Sequence, residues 1–169
     1  MTLLTRDTML MALPSKAASP ALTRAGSQEI IDGQDKMAPG VCQGTTGTNC
    51  AGLQLLGSTR FHDSTNLERE LRFDIISFDT LENTQVAMKG YTVEGRTHAG
   101  AKAQQIPVKT GADATEAVAG DEEYVVTLRV GMVLAQVRGV DVDHKAVDDS
   151  AKMQVERIKK AAVGRNPDA

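Results

Sequence analysis

The stretch Glu123-Tyr-Val-Val-Thr-Leu-Arg-Val-Gly-Met-Val-Leu-Ala-Gln-Val-Arg138 decides the fold. Tyr124, Val126, Leu128 and Val130 alternate with Glu123, Val125, Thr127 and Arg129. That period of two puts one side of a strand in a core. Gly131-Met132 turns the chain, and Val133, Ala135 and Val137 return on one side, so the segment is an antiparallel hairpin. After a link from Gly139 to Asp143 the period changes. Val147, Ala151, Val155 (or Gln154), Ile158 and Ala162 recur at helical spacing, while Lys145, Asp149, Lys152, Glu156 and Lys159 fall outside the stripe. Asp143 is the expected N-cap, and Gly164 and Pro167 close the helix.

Upstream, Leu53 to His62 and Leu67 to Phe78 read as strands. In the second, Leu71, Phe73 and Ile75 alternate with Arg72, Asp74 and Ile76. A helix capped by Asp79 or Thr80 follows, with Leu81, Gln85, Met88 and Tyr91 on one stripe; Gly90 and Gly95 are expected to weaken or end it. Residues 95–121 read as loop, with Ile106-Pro107-Val108 as an edge strand and Ala114 to Ala119 as another short one. Residues 3–13 form a short helix that Pro14 ends. Residues 14–52, rich in Gly, Ser and Thr and holding Pro14, Pro20 and Pro39, are expected to be irregular and wrapped over the surface. The fold class is thus α+β: a twisted antiparallel sheet with helices packed on one face, and a long N-terminal loop stapled by one disulfide. The chain is expected to be one domain, with an N-terminal helix and disulfide-bearing segment (1–52), an α+β core (53–163) and a tail (164–169).

Composition narrows the function classes. Aromatic residues are 3% of the chain and Trp is absent, so the core must be aliphatic and base-stacking nucleic-acid modules are disfavoured. A net charge of −3 gives no general attraction to nucleic acid or anionic lipid. No apolar run approaches the roughly 18 residues that cross a bilayer, and Met9-Leu10-Met11-Ala12-Leu13 is too short for a signal-peptide core.

Cys42 and Cys50 bracket Gln-Gly-Thr-Thr-Gly-Thr-Asn, a stretch of loop formers. A disulfide is the favoured reading; two free thiols or half of a metal site are the alternatives, the latter short of two ligands because His62, His98 and His144 are isolated from one another. A disulfide implies an oxidising compartment, so the chain is read as a mature, exported form. No phosphate-binding glycine loop or nucleophile elbow is present. Asp141, Asp143, His144, Asp148 and Asp149 begin like a calcium loop, but Ala146 and Lys152 stand where that loop needs Gly and Glu. The cluster is better explained as helix capping. No metal or cofactor is expected.

The segments Leu128-Arg-Val-Gly-Met-Val-Leu-Ala-Gln-Val-Arg-Gly139 and Ala151-Lys-Met-Gln-Val-Glu-Arg-Ile158 together resemble the end of actinobacterial extracytoplasmic lipoproteins. These are similar to the extracellular sensor-like domains of mycobacterial Ser/Thr kinases. Leu4-Thr5 to Leu13-Pro14 resembles their opening segment. Ile76-Ser-Phe-Asp-Thr80 leading into Val86-Ala-Met88 resembles their strand-to-helix step, and the Cys pair lies where their disulfide-bearing loop lies. Four cysteines are common in the group and this chain has two. The resemblance implies a secreted or lipid-anchored α+β domain, without catalytic residues, that binds a protein or cell-envelope ligand.

The expected function is therefore a non-enzymatic, extracytoplasmic binding or sensor-like domain, with no membrane span and no nucleic-acid partner. The alternative is an adaptor subunit of a secreted assembly, with segment 14–52 laid along a partner. A small hydrolase is a distant third and needs His62, His98 or His144 to meet a carboxylate or thiol. The outer sheet face, or the Cys42–Cys50 loop and the segment before it, is the expected binding surface.

Overall fold

The computed structural model describes residues 4–19 and 21–169; Leu3 and Pro20, cited above, lie outside the described residues. Their backbone forms an antiparallel sheet of eight strands with four α-helices and a 3-10 turn at Lys16–Ala18. In chain order the main elements are α1 (Arg6–Ala12), β1 (Thr23–Arg24), β2 (Glu29–Asp32), α2 (Ala38–Thr46), β3 (Leu53–His62), β4 (Glu70–Phe78), α3 (Leu81–Ala99), β5 (Gln104–Ile106), β6 (Ala114–Ala119), β7 (Tyr124–Val130), β8 (Val133–Val140) and α4 (His144–Ala162). The strand order is β1-β3-β4-β8-β7-β6-β5, and β2 pairs with β3 beside β1. The fold is α+β, as the periodicity requires.

The hairpin forms as read. Val130 pairs with Val133 across a two-residue turn in which Gly131 takes φ +59°, a conformation that favours glycine. On one side of the sheet, Phe61, Phe73, Ile75, Val126, Leu128, Val133, Ala135 and Val137 meet Met9, Ala12 and Leu13 of α1 and Val147, Ala151, Val155 and Ile158 of α4. Phe61 and Phe73 pack edge to face at the centre of this layer, ring centroids 5.8 Å apart. Burying each such ring contributes roughly 1.5–3 kcal/mol. Arg157 of α4, 5% exposed, turns inward and donates to the carbonyls of Met11, Ala12 and Leu13, so the last turn of α1 is satisfied from the neighbouring helix.

Four expectations are corrected. The first concerns the helices, which cover both faces rather than one. On the second face Leu56, Ile76, Phe78 and Leu134 pack with Ala38, Cys42 and Cys50 and with Ala87 and Tyr91 of α3. The central strands are apolar on alternate residues of both sides in this half, so each side needs a cover.

The second concerns residues 14–52, which do not form a long irregular loop. The open edge of β3 offers unpaired backbone groups, and β1 and β2 add to successive stretches of it: Thr23 pairs with His62, and Glu29 with Ser58. The disulfide joins Cys42 to Cys50, but Cys42 lies in a helix. Ala38, Cys42 and Thr46, four apart, are its buried stripe, and Gly47 ends it with φ +68°.

The third concerns α3, which runs unbroken through Gly90 and Gly95 to Ala99. Both glycines face close neighbours: a Cβ on Gly90 would collide with the Thr46 backbone of α2, and one on Gly95 would press tightly on the Gln136 and Val125 side chains. Close packing there outweighs glycine's poor helix propensity, roughly 1 kcal/mol each. Thr80 is the N-cap and accepts from the Asn83 amide. The fourth concerns the edge strand, which comes earlier than expected, ending at Ile106, since Pro107 has no amide to donate to a partner.

Candidate functional site

The second face carries the candidate site. α2 and α3 cover its apolar half and leave β3, β4 and β8 open beyond their ends. The alternation that buries Leu71, Phe73 and Ile75 sends Arg72 and Asp74 to this side. Register then assembles two rows across the sheet. Arg60 stands opposite Arg72, and Arg72 opposite Arg138; Ser58 stands opposite Asp74, and Asp74 opposite Gln136.

Three adjoining hollows, all lined by Arg72, make a groove along these rows. The first, about 230 Å³, has Ile31, Val41, Leu56 and Ile76 as apolar lining, with Glu29, Arg72 and Asp74 beside them. The second, about 210 Å³, lies between Gly44 and Thr45 of α2 and His98 of α3, over Asp74, Gln136 and Arg138. The third, about 170 Å³, is bounded by Arg60, Glu70, Glu123 and Arg138. The groove thus has its apolar side chains at the α2 end, with Glu29 at their edge, and is ionic from Arg72 onward.

Directly opposed like charges disfavour strand pairing, so the three arginines need compensation. Arg72 has it: Nε donates to Asp74 Oδ2 at 3.0 Å and Nη2 to Oδ1 at 3.4 Å. Burial opposes the Arg72 charge, but the adjacent Asp74 outweighs it and holds the guanidinium above its ordinary value. Arg60 approaches Glu70 only to 3.8 Å. Arg138 approaches Glu123 to 3.8 Å, and both Arg138 Nε and Glu123 Oε2 are buried with no hydrogen-bond partner among the described residues. Burial pushes the Glu123 carboxyl up, and Arg138 offsets this only in part. A buried donor left unpaired costs about 1–3 kcal/mol, more when charged. His98 is pushed down, chiefly by its burial and then by Arg138. Gln136 is fixed by donating to the Tyr91 carbonyl and the Thr127 hydroxyl. Chemically, this is a surface that offers guanidinium donors and an apolar shelf.

The other residues singled out by sequence have structural surroundings. His62 ends β3. His144 is exposed and stacks on Tyr124, ring centroids 4.5 Å apart. Only His98 lines the groove, and no hydrogen bond ties it to a carboxylate or hydroxyl among the described residues. Asp143 accepts from the Lys145 amide at the start of α4. Asp149 pairs with Lys145, Asp148 accepts from the Tyr124 hydroxyl, and Asp141 lies 3.8 Å from Arg69. Among the described residues no His, Cys, Asp and Glu side chains gather as a metal site, and no helix is long and apolar enough to cross a membrane.

The fold has a solved counterpart. It is similar to the extracellular domain of PknH from Mycobacterium tuberculosis, with a TM-score of 0.55 over 94% of this chain and 93% of that one. Sequence identity is 14%, so the likeness is one of fold. No family model and no curated protein matches the sequence.

Arg60, Arg72 and Arg138 escape sequence reasoning. Each stands at an ordinary outward position of its own strand, and only register makes them neighbours.

Proposed function

We propose that this chain is a non-enzymatic, extracytoplasmic binding domain of the sensor-like kind, and that its ligand lies in the groove over β3, β4 and β8. The observation that carries the reading is the groove itself: a concave, half-apolar surface whose guanidinium row is only partly answered by its own carboxylates. The Cys42–Cys50 disulfide supports an oxidising compartment, because such bonds rarely persist among cytosolic thiols. The fold shared with an extracellular domain, and the short motifs resembling mycobacterial sensor-like domains and actinobacterial lipoproteins, point the same way. A protein or cell-envelope ligand fits this reading. The adaptor alternative loses its motivation, since segment 14–52 is spent on β1, β2 and α2 within this chain's own sheet and core.

Export is tested by trapping thiols with a maleimide in intact producing cells before lysis. The expected result is a chain whose two cysteines are blocked until reductant is added and which added protease reaches from outside. A reduced, protease-protected chain counts against the proposal.

A further inference from the structure

We infer that the middle of the groove seats an oxyanion, a carboxylate or phosphate group, with Arg138 as its principal donor, Arg72 beside it, and the ligand's apolar part lying toward Val41 and Leu56. The inference rests on the groove being the binding surface and names the chemistry that it takes. Of the three arginines in the row, Arg72 is held in a forked contact by Asp74. Arg138 is different. Its side chain is 13% exposed, it donates no hydrogen bond among the described residues, and its nearest carboxylate oxygen stays 3.8 Å away. A planar guanidinium whose Nε lacks a partner, lining a half-open hollow of about 210 Å³, matches an oxyanion in shape and charge.

The surrounding charges permit this. Asp74 is committed to Arg72, Glu70 lies nearest Arg60, Glu29 lines the hollow beside α2 and not the central one, and His98 is the remaining titratable group of the central hollow. Glu123 lies 3.8 Å from Arg138 Nε and lines the neighbouring hollow rather than the central one. The apolar shelf of Ile31, Val41, Leu56 and Ile76 opens from the same Arg72, so a substituent on the anion continues onto it. That favours an anion with an apolar tail over the bare ion.

The test titrates the protein with inorganic phosphate, hexyl phosphate and hexanoate at matched ionic strength, followed by NMR. Signals of Arg72, Asp74, His98, Gln136 and Arg138 are expected to move together, and the tailed probes are expected to bind at least tenfold more tightly than phosphate. Which tailed probe binds better separates a phosphate from a carboxylate ligand. Arg138→Gln is expected to weaken binding tenfold or more without lowering Tm, while Lys145→Gln on α4 leaves binding unchanged. Should Arg138→Gln fail to fold, Arg138→Lys, which keeps the charge and loses the fork, is expected to bind several-fold more weakly than the native chain. Undiminished binding by these variants, shifts outside the groove, or no binding of any probe at millimolar concentration overturns the inference. A soluble envelope digest that binds the groove when the probes do not would sink the oxyanion alone; a digest that does not bind there sinks the groove reading as well.

Discussion

A Cβ on Gly90 of α3 would collide with the carbonyl oxygen of Thr46 at the end of α2. The two helices that roof the groove therefore touch backbone to backbone. Gly90→Ala gains helix propensity, about 1 kcal/mol, but must push α2 away. The expected net effect is a loss of about 1–3 kcal/mol in urea unfolding, with NMR shifts spreading into Thr45 and Leu56. A neutral or stabilised variant would show that the helices do not meet so closely.

The disulfide closes a short loop, Cys50 standing eight positions after Cys42. Loop entropy assigns such a bond roughly 2–3 kcal/mol. Cys42→Ser with Cys50→Ser is expected to lose that much in urea unfolding, and added reductant is expected to cost the native chain a similar amount while leaving the double variant unmoved. Because Cys42 is on α2, the loss is expected first as faster amide exchange over 38–46.

Arg157 links α4 to the end of α1 and to the tail, where Nη1 donates to Asp168 Oδ1 at 2.7 Å. Removing a buried cation whose acceptors stay behind costs about 2–4 kcal/mol, so Arg157→Met is expected to unfold at correspondingly lower urea. The Asp168 carboxyl is held below its usual range by the Arg157 hydrogen bond, helped by Ser15 and opposed by burial. A lowered folded value means that its contribution is full above the unfolded value, near pH 4, and is lost as pH falls through the folded one. Asp168 is 43% exposed, which limits the effect to about 1 kcal/mol or less. The stability gap between the native chain and Asp168→Asn is expected to close below about pH 4; a gap that widens there would contradict the pairing.

Tyr91 is fully buried in α3, and its hydroxyl has no hydrogen-bond partner among the described residues. Burial pushes its ionisation well above the ordinary range. Tyr91→Phe removes an unpaired polar atom without changing the ring, and is expected to raise stability by about 1 kcal/mol. A loss of that size would mean that the hydroxyl is satisfied in solution.

The parts of this fold that sequence exposes are those where one period runs uninterrupted. Tyr124 to Val137 keeps a period of two and Val147 to Ile158 a helical one, so β7, β8 and α4 are legible. α2 is not. Pro39, Gly40, Gly44 and two threonines are poor helix formers, and the helix rests on the burial of Ala38, Cys42 and Thr46 against partners distant in sequence. Gly90 and Gly95 mislead for the same reason, since their value lies in what approaches them. The groove is the extreme case. Nothing local marks Arg138 as different from Arg129, and only the pairing of β3, β4 and β8 sets it in line with Arg60 and Arg72.

The most direct measurement of the central claim is an amide-shift map of the isotope-labelled protein during titration with a soluble digest of the producing organism's cell envelope. Shifts are expected to cluster at Val41 to Thr45, Arg72 to Asp74, His98 and Gln136 to Arg138. Shifts confined to the α1 and α4 side, or saturable binding that leaves these residues untouched, would contradict it.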